Sequence, residues 1–471
     1  MRWLINFVVC SCLGMILASD DTYRAAVIHG LNSYGDMAGF LPLIHDAAKA
    51  KADILVLPSP RATPSSANTE ESCGLDNYDE LVKFLSGASK DAGIYLVAHV
   101  LEKTKCQNRL ELIRSNLVFD RQGDIVSVYR KPVNNIANCT LVSGIGTFTA
   151  DFGVSFGVLM EEDLVLRDEA DLKSMKNFVV TGDWASEIPF LSAAQFGTSW
   201  AFVNNANLIT TAGVFPAGDY SKNTTNNLII TDLKKTSDEG YLATFFGHSS
   251  VSPVISADLE SVGIEDLSMY TIRPLDLEAS VQGYKVTVCQ EEFCCDFHIK
   301  SKVDESKHED ISYGLAVFNG VRSFSRTQNI GTQVCAVFAC AGLYKKSCSL
   351  RFNTTNISFE KLSVSGNFTS ANMQYPIILT SLRSEYARFQ TKSVNNANLV
   401  KLEVENAQNI LHFGIFGRDF LKDSVNAGIV NESTTLYEYI FNDDVIEFFD
   451  YLWIRLRILI FIVSIYFLEM M

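Results

Sequence analysis

From Tyr23 onward the chain alternates short apolar runs with stretches whose apolar residues recur at helical spacing. YRAAVIHG predicts a strand and FLPLIHDAAKAKA a helix. ADILVLPSP predicts a buried strand closed by a proline turn, and YDELVKFLSGASKDAG an amphipathic helix. IYLVAHVLEK returns to strand, and RSNLVFDRQGDIVSVYRK predicts a hairpin turning at Arg121 to Asp124. GTFTADFGVSFGVLMEED predicts a second strand pair; NFVVTGDWAS and WAFVNNANLIT follow, with the helical FLSAAQFGTSWAF between them. Helices alternating with strands and hairpins imply an α/β sandwich whose sheet lies between helices. After about residue 285 the pattern shifts to cysteine-rich, sequon-rich β segments such as YKVTVC and TQVCAVFAC, which sets the expected domain boundary.

The two ends carry different signals. MRWLINFVVCSCLGMILASDD has one Arg, an apolar stretch and small residues at Ala18 and Ser19, the pattern of a secretory signal over residues 1–19. At the far end, residues 446–471 include an apolar run from Ile458 to Leu468, shorter than the roughly 20 residues a spanning helix needs. A removable GPI-anchor signal fits that run, with attachment between Asn431 and Asn442; a tilted span from Phe448 to Leu468, with Arg455 and Arg457 inside it, is the alternative. Between the ends, the expected division is residues 20–285 and 286–445.

Composition narrows the function classes. A formal charge of −15 and a pI near 5.0, with no basic cluster interleaved with aromatics, argue against nucleic acid as a partner. Sequons at Asn138, Asn223, Asn353, Asn356, Asn367 and Asn431 fit a glycoprotein of the secretory pathway. Outside the signal stand Cys73, Cys106, Cys139, Cys289, Cys294, Cys295, Cys335, Cys340 and Cys348. The six from Cys289 onward predict a disulfide-stapled region, because CxxxxC and a CC pair fit zinc poorly. The odd total leaves at least one thiol free or paired between chains. His29, His45, His99, His248, His298, His308 and His412 are scattered without ligand spacing, so neither a metal nor another cofactor is expected. GVSFG, residues 153–157, matches the GxSxG pattern, but its apolar strand runs on through Val158 and Leu159, so Ser155 is not expected to be a nucleophile.

ADILVLP, NLVFDRQGDIVSVYRK, FGVLMEEDLVLRD and DWASEIPFLSAAQFGTSWA, taken in that order, resemble the carbon–nitrogen hydrolase (nitrilase) superfamily. FCCDFHIK, YGLAVFNGVRSF and VCAVFACAG are similar to the C-terminal domain of its biotinidase and vanin (pantetheinase) branch, so the resemblance runs from Tyr23 to about Asp444. It implies a nitrilase-type α-β-β-α sandwich followed by a disulfide-rich, mainly β domain. It also implies hydrolysis of linear amides by a cysteine nucleophile, a glutamate base and an oxyanion-stabilising lysine.

Carried across, the lysine is Lys131 in VYRKP. The glutamate's place, after the proline of ILVLP, holds Ser59, and the cysteine's place, five residues after Phe156, holds Glu161. Asp163 and Asp168, which flank that elbow in the family pattern, are present. A buried Lys131–Glu161 ion pair is therefore expected at the old site. Glu70, Glu71, Cys73 and Cys139 are the nearest groups that might stand in for the lost ones, though disulfides are the simpler fate for the two thiols.

The favoured expectation is a vanin-like pseudoenzyme, secreted or at the cell surface, that binds a small amide-like ligand or a protein partner. An active pantetheinase- or biotinidase-like amidohydrolase with displaced catalytic groups is the alternative. A third is a subunit pairing with itself or with an active relative.

Overall fold

The computed structural model describes residues 21–423 apart from 30–38, 59–77, 133–143, 168–171, 218–222, 237–243, 250–262, 342–346, 349–354 and shorter breaks. The chain divides into two compact units, one of residues 1–164, 170–183 and 204–240, the other of residues 165–169, 184–203 and 241–471.

In the first unit the predicted strands form β1 (Thr22–Ile28), β2 (Ile54–Val56), β3 (Tyr95–Cys106), β4 (Arg109–Phe119), β5 (Ile125–Pro132), β6 (Gly146–Thr149), β7 (Ser155–Met160) and β8 (Asn177–Thr181). A seven-stranded sheet runs Asn223–Thr225, Leu228–Lys234, β1, β2, β3, β4, β5. Within it β1, β2 and β3 are parallel, with Ala25 opposite Ile54 and Ile54 opposite Tyr95. Parallel neighbours need crossover connections, and helices Leu41–Lys49 and Tyr78–Ala92 lie in those connections. That is why AAVI and ILV are uninterrupted apolar runs: the sheet is covered on both faces.

On one face Ala26, Ile28, Leu55, Leu57, Leu96 and Ala98 meet Ile44, Ala47, Leu81, Leu85 and Ala88 of the two helices. Each buried Ile or Leu stabilises that layer by about 1.5–3 kcal/mol. The other face meets a five-stranded sheet ordered Gly213–Phe215, Asn207–Thr210, β8, β7, β6. Tyr23 stacks on Phe152 at 5.6 Å and Tyr95 on Phe148 at 5.9 Å across that seam. The β4–β5 turn falls where predicted, and β3 and β4 form a longer hairpin than the apolar pattern implied. WAFVN is a correction: helix Ala193–Asn204 runs through it, and the strand is confined to Asn207–Thr210.

The second unit contains two six-stranded sheets, so the C-terminal region is β as expected. One is ordered Thr244–Phe246, Tyr386–Val394, Ala397–Gln408, Ile357–Thr369, Phe293–Val303, Tyr284–Gln290. The other is ordered His248–Ser249, Met373–Thr380, Ile410–Arg418, Gln328–Cys340, Ser312–Phe324, Thr271–Pro274. The six clustered cysteines form three disulfides, Cys289–Cys294, Cys295–Cys335 and Cys340–Cys348. Cys295–Cys335 joins the two sheets, and Gly366 makes room for it, since a Cβ there would stand 2.7 Å from Cys335 Sγ. Helix Ala193–Asn204 belongs to this unit through Phe196, 4.9 Å from Tyr375, and Ser199 Oγ, which donates to Pro376 O at 2.6 Å. Among the described residues no helix is long and apolar enough to cross a membrane; residues 458–468 lie outside them.

Candidate active site

Strand alternation builds the site. Residues two apart on a strand share a face, and the register sets His99 beside Asn116 beside Tyr129, and Arg114 beside Lys131. That face of β3, β4 and β5 is the one turned toward the second sheet, where β7 ends in the turn Glu161–Glu162 and helix Asp163–Leu166 begins. Strand, tight turn and helix thus meet at Glu161. At GVSFG they do not: Ser155 opens β7, is exposed, and lies 2.8 Å from Thr149 Oγ1.

Lys131 Nζ donates to Asp163 Oδ1 at 2.5 Å and reaches Glu162 Oε1 at 3.4 Å. Asp163, only 1% exposed, also accepts at Oδ2 from Tyr129 OH and from the Met160 amide, each at 3.0 Å. Arg114 Nη2 donates to Glu162 Oε1 at 2.6 Å. Burial by itself would raise the Glu162 carboxyl, but the Lys131 ammonium and the Arg114 guanidinium outweigh it and hold the group below the usual carboxylate range.

The Lys131–Glu161 pair expected from the sequence is corrected here. The ammonium contacts Asp163 and Glu162, whereas Glu161, 3% exposed, accepts at Oε1 from Thr211 Oγ1 at 2.5 Å. The cause is the turn: it aims Glu162 and Asp163 at β4 and β5, and Glu161 at residue 211 after strand Asn207–Thr210. Gly182, just past β8, has φ +146°, and a Cβ there would stand 3.4 Å from Glu161 N.

A second polar chain ties β7 to the seven-stranded sheet. Asn116 Nδ2 donates to Leu159 O at 2.7 Å, so Asn116 Oδ1 faces His99 Nδ1 at 2.6 Å and that nitrogen carries the proton. Burial lowers the His99 pKa, and Arg114 reinforces the shift against the opposing Asn116 bond and Glu162 charge, so the ring is neutral near pH 7.

Of the sequence-derived site residues, the structure brings Lys131, Glu161 and Asp163 into one region. Ser59, Glu70, Glu71, Cys73, Cys139 and Asp168 lie outside the described residues. Sequence reasoning missed Arg114, Asn116, Tyr129, Glu162, Thr211 and His99. Arg114 and Asn116 carried a usable signal: polar residues two apart on a strand otherwise rich in buried apolar ones. Among the sequons, Asn367 is exposed on a strand and Asn356 is half-buried; Asn223 lies in strand Asn223–Thr225, while Asn138, Asn353 and Asn431 are outside the described residues.

Comparison with known proteins bears on the family. The carbon-nitrogen hydrolase family matches residues 28–133, and the vanin C-terminal domain matches residues 262–423. Vanin-like protein 3 of Drosophila melanogaster is 25% identical over 516 residues, covering 92% of this chain and 96% of that protein. The pantetheinase of Homo sapiens is 26% identical over 376 residues, covering 72% of this chain and 70% of that protein. The chain therefore belongs to the carbon–nitrogen hydrolase (nitrilase) superfamily. Its C-terminal region sets it in the vanin-like branch.

Proposed function

We propose that this chain is a secreted or cell-surface, glycosylated vanin-like protein in which amide hydrolysis is lost and ligand or partner binding is kept. The observation that carries this reading is Glu161 at the turn between β7 and helix Asp163–Leu166, the place where the family pattern sets its cysteine. The match to the hydrolase family ends at residue 133, so the equivalence of Glu161 rests on the order of strand, turn and helix around it.

The chemistry supports the loss. A thiolate attacks an amide carbon and holds the acyl group while the amine departs. A carboxylate in that place would form a mixed anhydride that the departing amine reverses. Ser59, in the base's position, has no basicity near neutral pH. Lys131 is retained and held by Asp163 at 2.5 Å, but without a thiolate and a base its charge has no tetrahedral oxyanion to stabilise. The three disulfides suit an oxidising compartment.

Incubation with pantetheine and with biotinyl amides tests the proposal: no amine is released, and pantetheine raises the thermal midpoint if the pocket still binds it. Amine release that disappears on Lys131→Ala would overturn it.

A further inference from the structure

From the second unit, and independently of Glu161, we infer that the outer face of the sheet containing Tyr284–Gln290, Phe293–Val303, Ile357–Thr369, Ala397–Gln408 and Tyr386–Val394 binds a sulfated polysaccharide. Alternation turns Phe297, Ile299, Val364, Leu402 and Phe389 inward and leaves cationic side chains outward. Lys285 stands opposite His298, and Lys300 opposite Lys361. Lys302 follows two residues after Lys300, Lys401 stands opposite Ser365, and Arg388 opposite Glu403.

Of the carboxylates on this face, Glu405 is matched by Arg388 at 3.3 Å and Asp296 accepts from Thr287, while Glu360 and Glu403 are each shared. Glu360 holds Lys300 at 2.7 Å and Lys302 at 2.5 Å, and Glu403 holds Lys361 at 3.1 Å and Lys401 at 2.8 Å. One carboxylate between two ammonium groups leaves positive charge over in each set. Exposed Lys285 and Lys392 have no ion pair among the described residues. The local field is legible in two groups. Lys300 and Lys302 pull the Glu360 carboxyl down to about 2. Burial, then the charges of Lys285, Lys361 and Lys401, lower His298 against the opposing Glu403. All this sits on a chain of formal charge −15, so the face differs in sign from the molecule as a whole.

The shape of the field selects the partner. Lysines are point charges on flexible stems, suited to sulfates in several orientations, and neighbouring strands about 4.8 Å apart spread them as a flat grid. A small anion would want a pocket with converging donors. A bilayer would want apolar side chains among the cations. The exposed apolar residues stand instead at the strand ends, Tyr386 and Val303 toward one and Leu399 and Val394 beside Lys392 at the other. The Asn367 sequon lies at that end too, opposite Leu399, and leaves the Lys300–Lys361 end clear for the polymer.

Heparin serves as the probe, with the secreted chain and the triple variant Lys285→Gln, Lys300→Gln, Lys361→Gln, which leaves Glu360 its Lys302 and Glu403 its Lys401. The expected result is retention of the natural chain despite its acidity. The triple variant, with an unchanged thermal midpoint, binds about tenfold or more weakly, and its slope of log affinity against log salt flattens by roughly one for each lysine that contacts the polymer. Arg at the same three positions restores retention. Passage through heparin at low salt, or retention unchanged in the triple variant, would overturn the inference. So would tighter binding to phosphatidylserine vesicles than to heparin, which would assign the face to a membrane.

Discussion

Each unit buries a cluster of charges, and the two are composed differently. In the first, Lys131 and Arg114 together serve Glu162 and Asp163, with Tyr129 and the Met160 amide as further donors. In the second, one guanidinium serves two carboxylates: Arg322 Nη1 donates to Glu265 at 2.6 Å, and Nη2 donates to Glu187. Tyr270 OH adds a bond to Glu265 at 2.6 Å. The supply of cations sets the sign of the carboxylate shift. Glu162 is buried, but two cations outweigh burial and lower it. Glu265 is buried with half a cation's share, so burial wins over Arg322 and raises it, and the charge of Glu187 adds to the rise. The first cluster holds two cations and two carboxylates in charge balance. The second is a structural clasp between strand Ser312–Phe324 and the paired strands Glu187–Ile188 and Gly263–Ile264.

The sharpest way to break the comparison is to remove the single cation. Arg322→Met leaves two carboxylates without their partner and should cost about 3–5 kcal/mol of unfolding free energy, read from denaturant unfolding by Trp184 and Trp200 fluorescence. Asp163→Asn should cost less, about 2–3 kcal/mol, because Lys131 keeps Glu162 within reach. A loss equal to that of Arg322→Met would mean that the second cation gives no protection.

Acidification separates the clusters by sign. A lowered carboxyl such as Glu162 contributes stability above its unfolded pKa near 4.5, and that contribution is lost as pH falls through the folded value. A raised carboxyl such as Glu265 does the reverse: stability is gained as pH falls from the folded value toward the unfolded one. Thermal midpoints from neutral to acid pH should therefore fall less steeply for Glu162→Gln than for the natural chain, and more steeply for Glu265→Gln. Identical profiles for the two variants would remove the distinction. The smallest effect belongs to Thr211→Val, which removes one hydroxyl from Glu161 and should cost about 1–2 kcal/mol by the same measurement.

The strands of the first unit were legible because burial on both faces writes itself as unbroken apolar runs, and the disulfide region because cysteines crowd together. Glu161 was singled out through the family resemblance, and the structure sets it in the turn after β7. What could not be read was the partner of each charge. Adjacent acidic residues in a turn diverge by side-chain direction, and only the register of β4 against β5 fixes that Arg114 and Lys131 meet Glu162 and Asp163. Tyr129 and Asn116 were hidden for the same reason: nothing local to either strand says which face meets the second sheet. Nor could the ownership of helix Ala193–Asn204 be read, since its apolar residues would suit either unit, and Phe196 and Ser199 find partners on strand Met373–Thr380.

The central claim is that an amidase framework remains around a substituted nucleophile. The most direct test is turnover of pantetheine and biotinyl amides by the double variant Ser59→Glu, Glu161→Cys beside the natural chain. Amine release by the variant alone, abolished by adding Lys131→Ala, is the predicted result. Turnover by the natural chain, or a well-folded variant as inert as its parent, would contradict the account.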